Sequence, residues 1–225
     1  MRIADALLDL LFPPKCPFCR RVLDAPGMCP ECEKTLPYTD EDGGLRELRG
    51  GLLCAAPLWY EGPVREAVRR LKFQNGLSAA GPLGELIAQA AAERFSGEFD
   101  VVAWVPVSAR RLRKRGCDQS RLLAERACKL WGVEPEALLR KVRDNPAQSG
   151  LERAEDRWRN AEAVYEAQGD VAGRRVLLID DVCTTGATLV SAAGTLLSAG
   201  AAGVVCAAGA FPRTGGENGG EKAKE

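Results

Sequence analysis

The sequence predicts an α/β domain built on a mostly parallel sheet, with a small cysteine-bearing segment in front of it. Three observations carry this. The apolar runs FDVVAWV (99–105) and RVLLI (175–179) have strand length and no polar alternation, the pattern of strands covered on both faces. Stretches of helical period lie between them, and alternating strands and helices make a parallel sheet with helices on both faces. Before residue 50 that periodicity is missing, and cysteine, proline and glycine punctuate the chain instead.

Taken in order, residues 1–14 (MRIADALLDLLFPP) read as a short amphipathic helix ended by Pro13 and Pro14. Asp5 and Asp9 interrupt its apolar run, so neither export nor membrane insertion is expected. DEDGG (40–44) reads as a linker, and LLCAAPLWY (52–60) as one strand. A helix over 63–73 puts Val64, Ala67, Val68 and Leu71 on one face. A second helix, from about 79 to 95, buries Leu83, Leu86, Ile87 and Ala90. After the strand at 99–105 come a helix over 119–131, the strand at 175–179, and a helix over 188–199 stopped by Gly200. GVVCAAGAF (203–211) is a last strand. Residues 142–159 read as a long mobile loop, and the Gly-rich tail as disordered. The expected division is a metal module over 1–45, the α/β domain over 46–212 and the tail over 213–225.

Composition narrows the chemistry. Lys and Arg total 31, Asp and Glu total 31, so the whole molecule is no general polyanion binder. Charge is uneven, however: residues 104–160 hold 14 basic against 8 acidic side chains, and phosphate-rich ligands are expected there. No apolar run of about 20 residues exists to cross a membrane. Nine cysteines, an odd number, without an export signal point to a reducing cytoplasm. The absence of histidine removes every Ser-His or Cys-His mechanism and every His-liganded metal.

Cys16-Pro-Phe-Cys19 and Cys29-Pro-Glu-Cys32 form two CxxC turns nine residues apart. Each turn aims two thiolates at one point, and together they supply the tetrahedral sulfur set that Zn2+ prefers. Four thiolates leave no open position, so the metal is structural. A module this small has little core, and zinc must supply much of its folding energy. Its removal is expected to unfold only the first 40 or so residues. Cys54, Cys117, Cys128, Cys183 and Cys206 are scattered and read as small apolar side chains.

The richest stretch runs from Arg175 to Thr188, RVLLIDDVCTTGAT. A buried strand delivers Asp180 and Asp181 to its carboxyl end, where open α/β sheets bind ligands. The following turn supplies backbone N–H groups and the hydroxyls of Thr184, Thr185 and Thr188 to an anion, with Gly186 and Ala187 opening the next helix. Two adjacent carboxylates suit vicinal hydroxyls, or a Mg2+ held through them. A sugar with a 2,3-diol and a 5-phosphate satisfies both halves. No P-loop and no dinucleotide-binding GxGxxG occurs.

This stretch matches the signature of type I phosphoribosyltransferases, and with the four cysteines the chain closely resembles the ComF family of competence proteins. LKF (71–73), VPV (105–107), Arg113-x-Arg115-Gly-x-x-Gln119 and Gln148-Ser-Gly-Leu151, followed by Arg153, Arg157 and Asn160, belong to the same resemblance. It implies phosphoribosyl pyrophosphate (PRPP) with Mg2+ as ligand: ribose and metal at Asp180 and Asp181, the 5-phosphate at Thr184–Thr188. It implies a pyrophosphate loop among Arg110, Arg111, Arg113 and Arg115, with Lys72 a further candidate. A flexible loop would carry Gln148, Arg153 and Arg157. It also implies a cytoplasmic role in natural transformation, handling single-stranded DNA beside a competence helicase. An active salvage phosphoribosyltransferase, displacing pyrophosphate from Mg-PRPP, is the alternative. Single-stranded DNA is expected on the same arginines, with Trp158 as a stacking platform. Two departures stand out. Ser108 replaces a proline that often follows VPV, and Asp118, where the family has Asn, adds negative charge near the expected pyrophosphate.

Overall fold

The long apolar runs become the middle of one sheet. A computed structural model describes residues 13–73, 77–143 and 164–213. In chain order the elements are α1 (Pro30–Thr35), β1 (Leu45–Glu47), β2 (Leu53–Ala55), β3 (Leu58–Trp59), α2 (Gly62–Phe73), α3 (Leu77–Phe95) and β4 (Val101–Trp104). Then follow α4 (Ala109–Arg115), α5 (Gln119–Trp131), β5 (Leu139–Lys141), β6 (Tyr165–Ala167), β7 (Arg175–Val182), α6 (Ala187–Ser198) and β8 (Gly203–Phe211). The expected N-terminal helix, most of the expected loop at 142–159 and nearly all of the tail lie outside the described residues.

The sheet runs β1-β2-β8-β7-β4, parallel except for β1 on β2. β2 and β3 lie along the same edge of β8, Cys54 opposite Cys206 and Leu58 opposite Ala210. The single strand expected over 52–60 is thus two short ones. Pro57 has no N–H to offer a ladder, and its carbonyl turns away to accept from Thr39 N at 2.9 Å. β5 and β6 form a separate antiparallel pair.

Alternation along the strands separates two cores. On β7, Leu177 and Ile179 face one cluster with α2, α3 and α5, while Val176 and Leu178 face another with α6, β5 and β6. The first cluster also contains Cys16, Phe18, Cys29, Cys32 and Leu36. The cysteine module therefore does not stand apart: it packs its few apolar side chains into the same core as α2. The segment leaving it pairs with β3 at the Tyr38–Leu58 bridge, through two backbone bonds: Trp59 N donates to Pro37 O at 2.8 Å and Thr39 N to Pro57 O at 2.9 Å. This packing favours a module that unfolds together with its neighbour, against the expectation of one that unfolds alone.

Candidate ligand site and cysteine cluster

The four predicted thiols converge. The Sγ atoms of Cys16, Cys19, Cys29 and Cys32 all lie within 4.8 Å of one another. Cys19 and Cys29 Sγ are 3.6 Å apart, close to the edge of about 3.8 Å that a tetrahedron with Zn–S bonds of about 2.3 Å requires. Backbone geometry aims them. Arg20, at φ 69°, closes the first turn, its N–H donating to Cys16 O at 3.0 Å. Cys29 caps α1 and accepts from Cys32 N at 3.4 Å. Burial pushes the Cys16 thiol up, but backbone hydrogen bonds at Cys19, Cys29 and Phe18 outweigh it and bring it down to about 6. Burial and the neighbouring sulfurs push Cys32 up. A metal held here must displace the remaining thiol protons, so its binding is linked to pH. The donor set fits structural Zn2+.

The second site is a cavity of about 360 Å³ at the carboxyl end of β7. β7 runs further than the apolar pattern suggested, so Asp180 is still paired with Ala208. Asp180 is 9% exposed and accepts from Ser120 Oγ and from Asp181 N, both at 2.8 Å. Burial, then the adjacent Asp181 carboxylate, push its carboxyl up to about 7. Asp181 turns the other way and pairs with Lys72 Nζ at 2.5 Å. Opposite, Gly209 lets the strands approach: a Cβ there would meet Asp181 O at 2.8 Å.

The loop after β7 divides its labour. Thr184 and Thr188 line the cavity. Thr185 Oγ1 accepts locally from Ala187 N at 3.4 Å and is not part of the lining. Gly186 caps α6 at φ 74° with Leu48 packed over it, so that a side chain there would be both strained and blocked.

The arginine segment is a helix rather than a loop. Ser108 caps α4, accepting from Arg111 N at 3.3 Å, and Gly116 ends it in the left-handed region. The serine that departs from the family pattern starts this helix. Helical geometry then splits the candidates. Arg111 and Arg115 line the cavity, whereas Arg110 and Arg113 are exposed outside it. Arg115 also donates to Gln119 Oε1 at 2.8 Å. Asp118 does not line the cavity: its two oxygens accept from Val107 N at 3.1 Å and Arg121 N at 3.2 Å, capping α5. Gln148, Arg153 and Arg157 lie outside the described residues, as does Trp158.

Four lining groups escaped the sequence reading: Ser120, Tyr60, Lys141 and Tyr165. Ser120 follows Gln119 in the matched motif and was open to notice. Lys141 and Tyr165 come from opposed positions of β5 and β6, with Nζ 3.3 Å from the phenol oxygen, and no spacing signals that pairing.

Comparison with known proteins finds both parts of the chain in known families. Residues 84–224 match the model of the phosphoribosyl transferase domain, and residues 7–42 that of the double zinc ribbon domain. Competence protein ComFC of Bacillus subtilis is 28% identical over 191 residues, 84% of this chain and 74% of the relative. DNA utilization protein YhgH of Salmonella typhimurium is 30% identical over 208 residues, 84% of this chain and 86% of the relative. Competence protein F of Haemophilus influenzae is 29% identical over 187 residues, 72% and 81%. With a four-cysteine zinc ribbon ahead of a phosphoribosyl transferase domain, the chain belongs to the ComF family of phosphoribosyltransferase-like proteins.

Proposed function

We propose that the protein binds Mg2+-PRPP in the cavity at the end of β7 and serves single-stranded DNA handling of the ComF kind in natural transformation. One observation carries the ligand reading: a single cavity collects two adjacent carboxylates, two threonines at a helix N-terminus and two arginines. Asp180 and Asp181 accept from the ribose hydroxyls. Thr184, Thr188 and the backbone N–H groups from Thr185 to Ala187 hold the 5-phosphate. Arg111 and Arg115 face the pyrophosphate. Mg2+, bound with PRPP, supplies neutralising charge to the phosphates. The DNA role is supported by relatives named competence protein and DNA utilization protein. In this reading the protein works in the cytoplasm beside a competence helicase. No helix among the described residues is long and apolar enough to cross a membrane. The functional division remains 1–45 for the zinc ribbon, 46–212 for the ligand domain and 213–225 for the tail.

The arginines of α4 suggest how ligand and DNA meet. Arg110 and Arg113 lie on the outside of a helix whose Arg111 and Arg115 face the cavity. A strand passing along α4 therefore competes only in part with PRPP. Calorimetry with Mg2+-PRPP tests the ligand, and wild-type protein giving no saturable heat would remove it. Anisotropy of labelled single-stranded DNA, at two salt concentrations with and without Mg2+-PRPP, tests the rest. Arg110→Glu with Arg113→Glu should weaken DNA binding and flatten its salt dependence while sparing PRPP affinity. Unchanged DNA binding would place the interface elsewhere.

A further inference from the structure

α2 stands between the two sites and touches both. Its buried stripe, Val64, Ala67, Val68 and Leu71, packs into the core that also holds Phe18 and the buried cysteines. A helix turns about 100° per residue, so Arg70 and Lys72 emerge about 200° apart, on opposite flanks of that stripe. On one flank, Arg70 Nη2 donates to Pro17 O at 2.5 Å and lies 3.4 Å from Phe18 O. Both carbonyls belong to the first CxxC turn, between Cys16 and Cys19. On the other flank, Lys72 Nζ sits on Asp181 at 2.5 Å and lines the cavity. The segment leaving the cysteine module braces the same wall, because Trp59 N donates to Pro37 O and the next residue, Tyr60, lines the cavity too.

We propose that the zinc-held knuckle positions the ligand cavity: it anchors α2 through Arg70, and α2 in turn holds Lys72 on Asp181. The carbonyls of Pro17 and Phe18 point in a fixed direction only while Cys16 and Cys19 converge on the metal. Arg70 meets both carbonyls with one nitrogen, Nη2, of its planar guanidinium. The last turn of α2 is thereby fixed from the side away from the ligand. Arg70 is a positioning residue, and zinc acts on the cavity without contributing a ligand to it. The inference rests on the reading that the cavity binds Mg2+-PRPP.

The test is a double-mutant cycle on the full zinc-loaded chain. Calorimetric binding of Mg2+-PRPP is the readout, and the zinc content of every variant is measured alongside. Arg70→Leu should keep its zinc and bind Mg2+-PRPP about tenfold more weakly. Arg70→Lys, which retains a donor for one carbonyl, should recover most of that loss. In a Lys72→Met background, Arg70→Leu should have no further effect, because its influence passes through the missing ammonium. Wild-type affinity in Arg70→Leu, or additive losses in the double variant, overturns the proposal. If Arg70→Leu loses its zinc, Arg70→Gln and Arg70→Lys carry the same comparison. Hydrogen exchange supplies a readout that needs no ligand. Amides of residues 69–73 should exchange faster in Arg70→Leu, with those of β7 and β8 unchanged, and equal exchange at 69–73 overturns the proposal. Should wild type show no heat with Mg2+-PRPP, the ligand reading falls and the exchange result alone decides the coupling.

Discussion

The cysteine knuckle and the loop after β7 do similar things with different support. Each is a tight turn that gathers several groups: thiolates suited to a cation in one and, on the proposed reading, hydroxyls with backbone N–H groups for an anion in the other. The knuckle is built from two short turns and the six-residue α1. The loop rests on the eight-residue β7, hydrogen-bonded on both sides by β4 and β8. Convergence of the knuckle is therefore expected to depend on its metal, whereas that of the loop rests on the sheet beneath it. The same local geometry would then be in one case a consequence of binding and in the other a preparation for it.

Removing zinc should break the comparison most severely. Cys16→Ala, or chelation of wild type, should abolish metal binding and lower the melting temperature of the whole chain. Phe18 and Leu36 leave a core they share with α2, and each buried side chain of this kind contributes about 1.5–3 kcal/mol. Calorimetric unfolding with metal analysis checks this, and a separate low-temperature transition confined to residues 13–42 would show that the module is independent after all.

Changing the preformed site should do the opposite, weakening the ligand and sparing the fold. Asp181→Ala should weaken Mg2+-PRPP by roughly tenfold to over a hundredfold, the worth of a charge-assisted contact. Thr185→Ala should weaken it less, since its hydroxyl serves Ala187 N rather than the cavity. Titration calorimetry on the two variants ranks them. Equal losses would mean that Thr185 turns inward on binding.

Preparation of the site has an energetic signature of its own. Burial and Asp181 hold the Asp180 carboxyl near 7, while in the unfolded chain it titrates near about 4. Between those values the folded protein keeps a proton that the unfolded chain has released. The contribution of this group to stability therefore falls as pH rises from about 4 to about 7. Asp180→Asn keeps an acceptor for Ser120 and Asp181 N without the charge. It should raise the melting temperature of ligand-free protein more at about pH 8 than at about pH 5, by about 2–4 °C for each kcal/mol relieved. Equal shifts at both pH values would mean that Asp180 is not held up in the fold.

The smallest effect is expected at Asp118. Asp118→Asn loses one of two backbone hydrogen bonds, about 0.5–1.5 kcal/mol, and is relieved of a buried charge that burial itself penalises. The melting temperature should barely move and PRPP affinity should stay as in wild type. A clear gain in affinity would restore the view that its charge opposes pyrophosphate.

Much of this architecture was legible in the sequence, and the reasons differ by site. CxxC spacing is nearly a complete specification, since two residues between cysteines leave the turn few options and four thiolates leave the metal one geometry. The β7 motif was legible because an apolar run ending in Asp-Asp announces both the strand and its open end. The shared core between knuckle and α2 was not, because Phe18 and Leu36 look like isolated apolar residues until the fold brings Val64 and Leu71 to them. Nor was the division of the arginines: six consecutive residues looked like one basic loop, and only the turn of α4 sends Arg111 and Arg115 inward. Lys141 and Tyr165 meet across 24 residues of chain that local pattern cannot bridge.

The ion pair between Lys72 and Asp181 bears on the order in which ligands arrive. A tethered ammonium already occupies the carboxylate, so a bare divalent cation must compete with a charge whose local concentration the helix fixes. A sugar phosphate that carries the cation chelated among its own oxygens faces no such contest. On the proposed reading, Asp181 is already neutralised by Lys72, and the cavity should answer to the loaded ligand rather than to free metal. Titration of Mg2+ alone into the protein should give no saturable heat, and the same titration into Lys72→Met should give one.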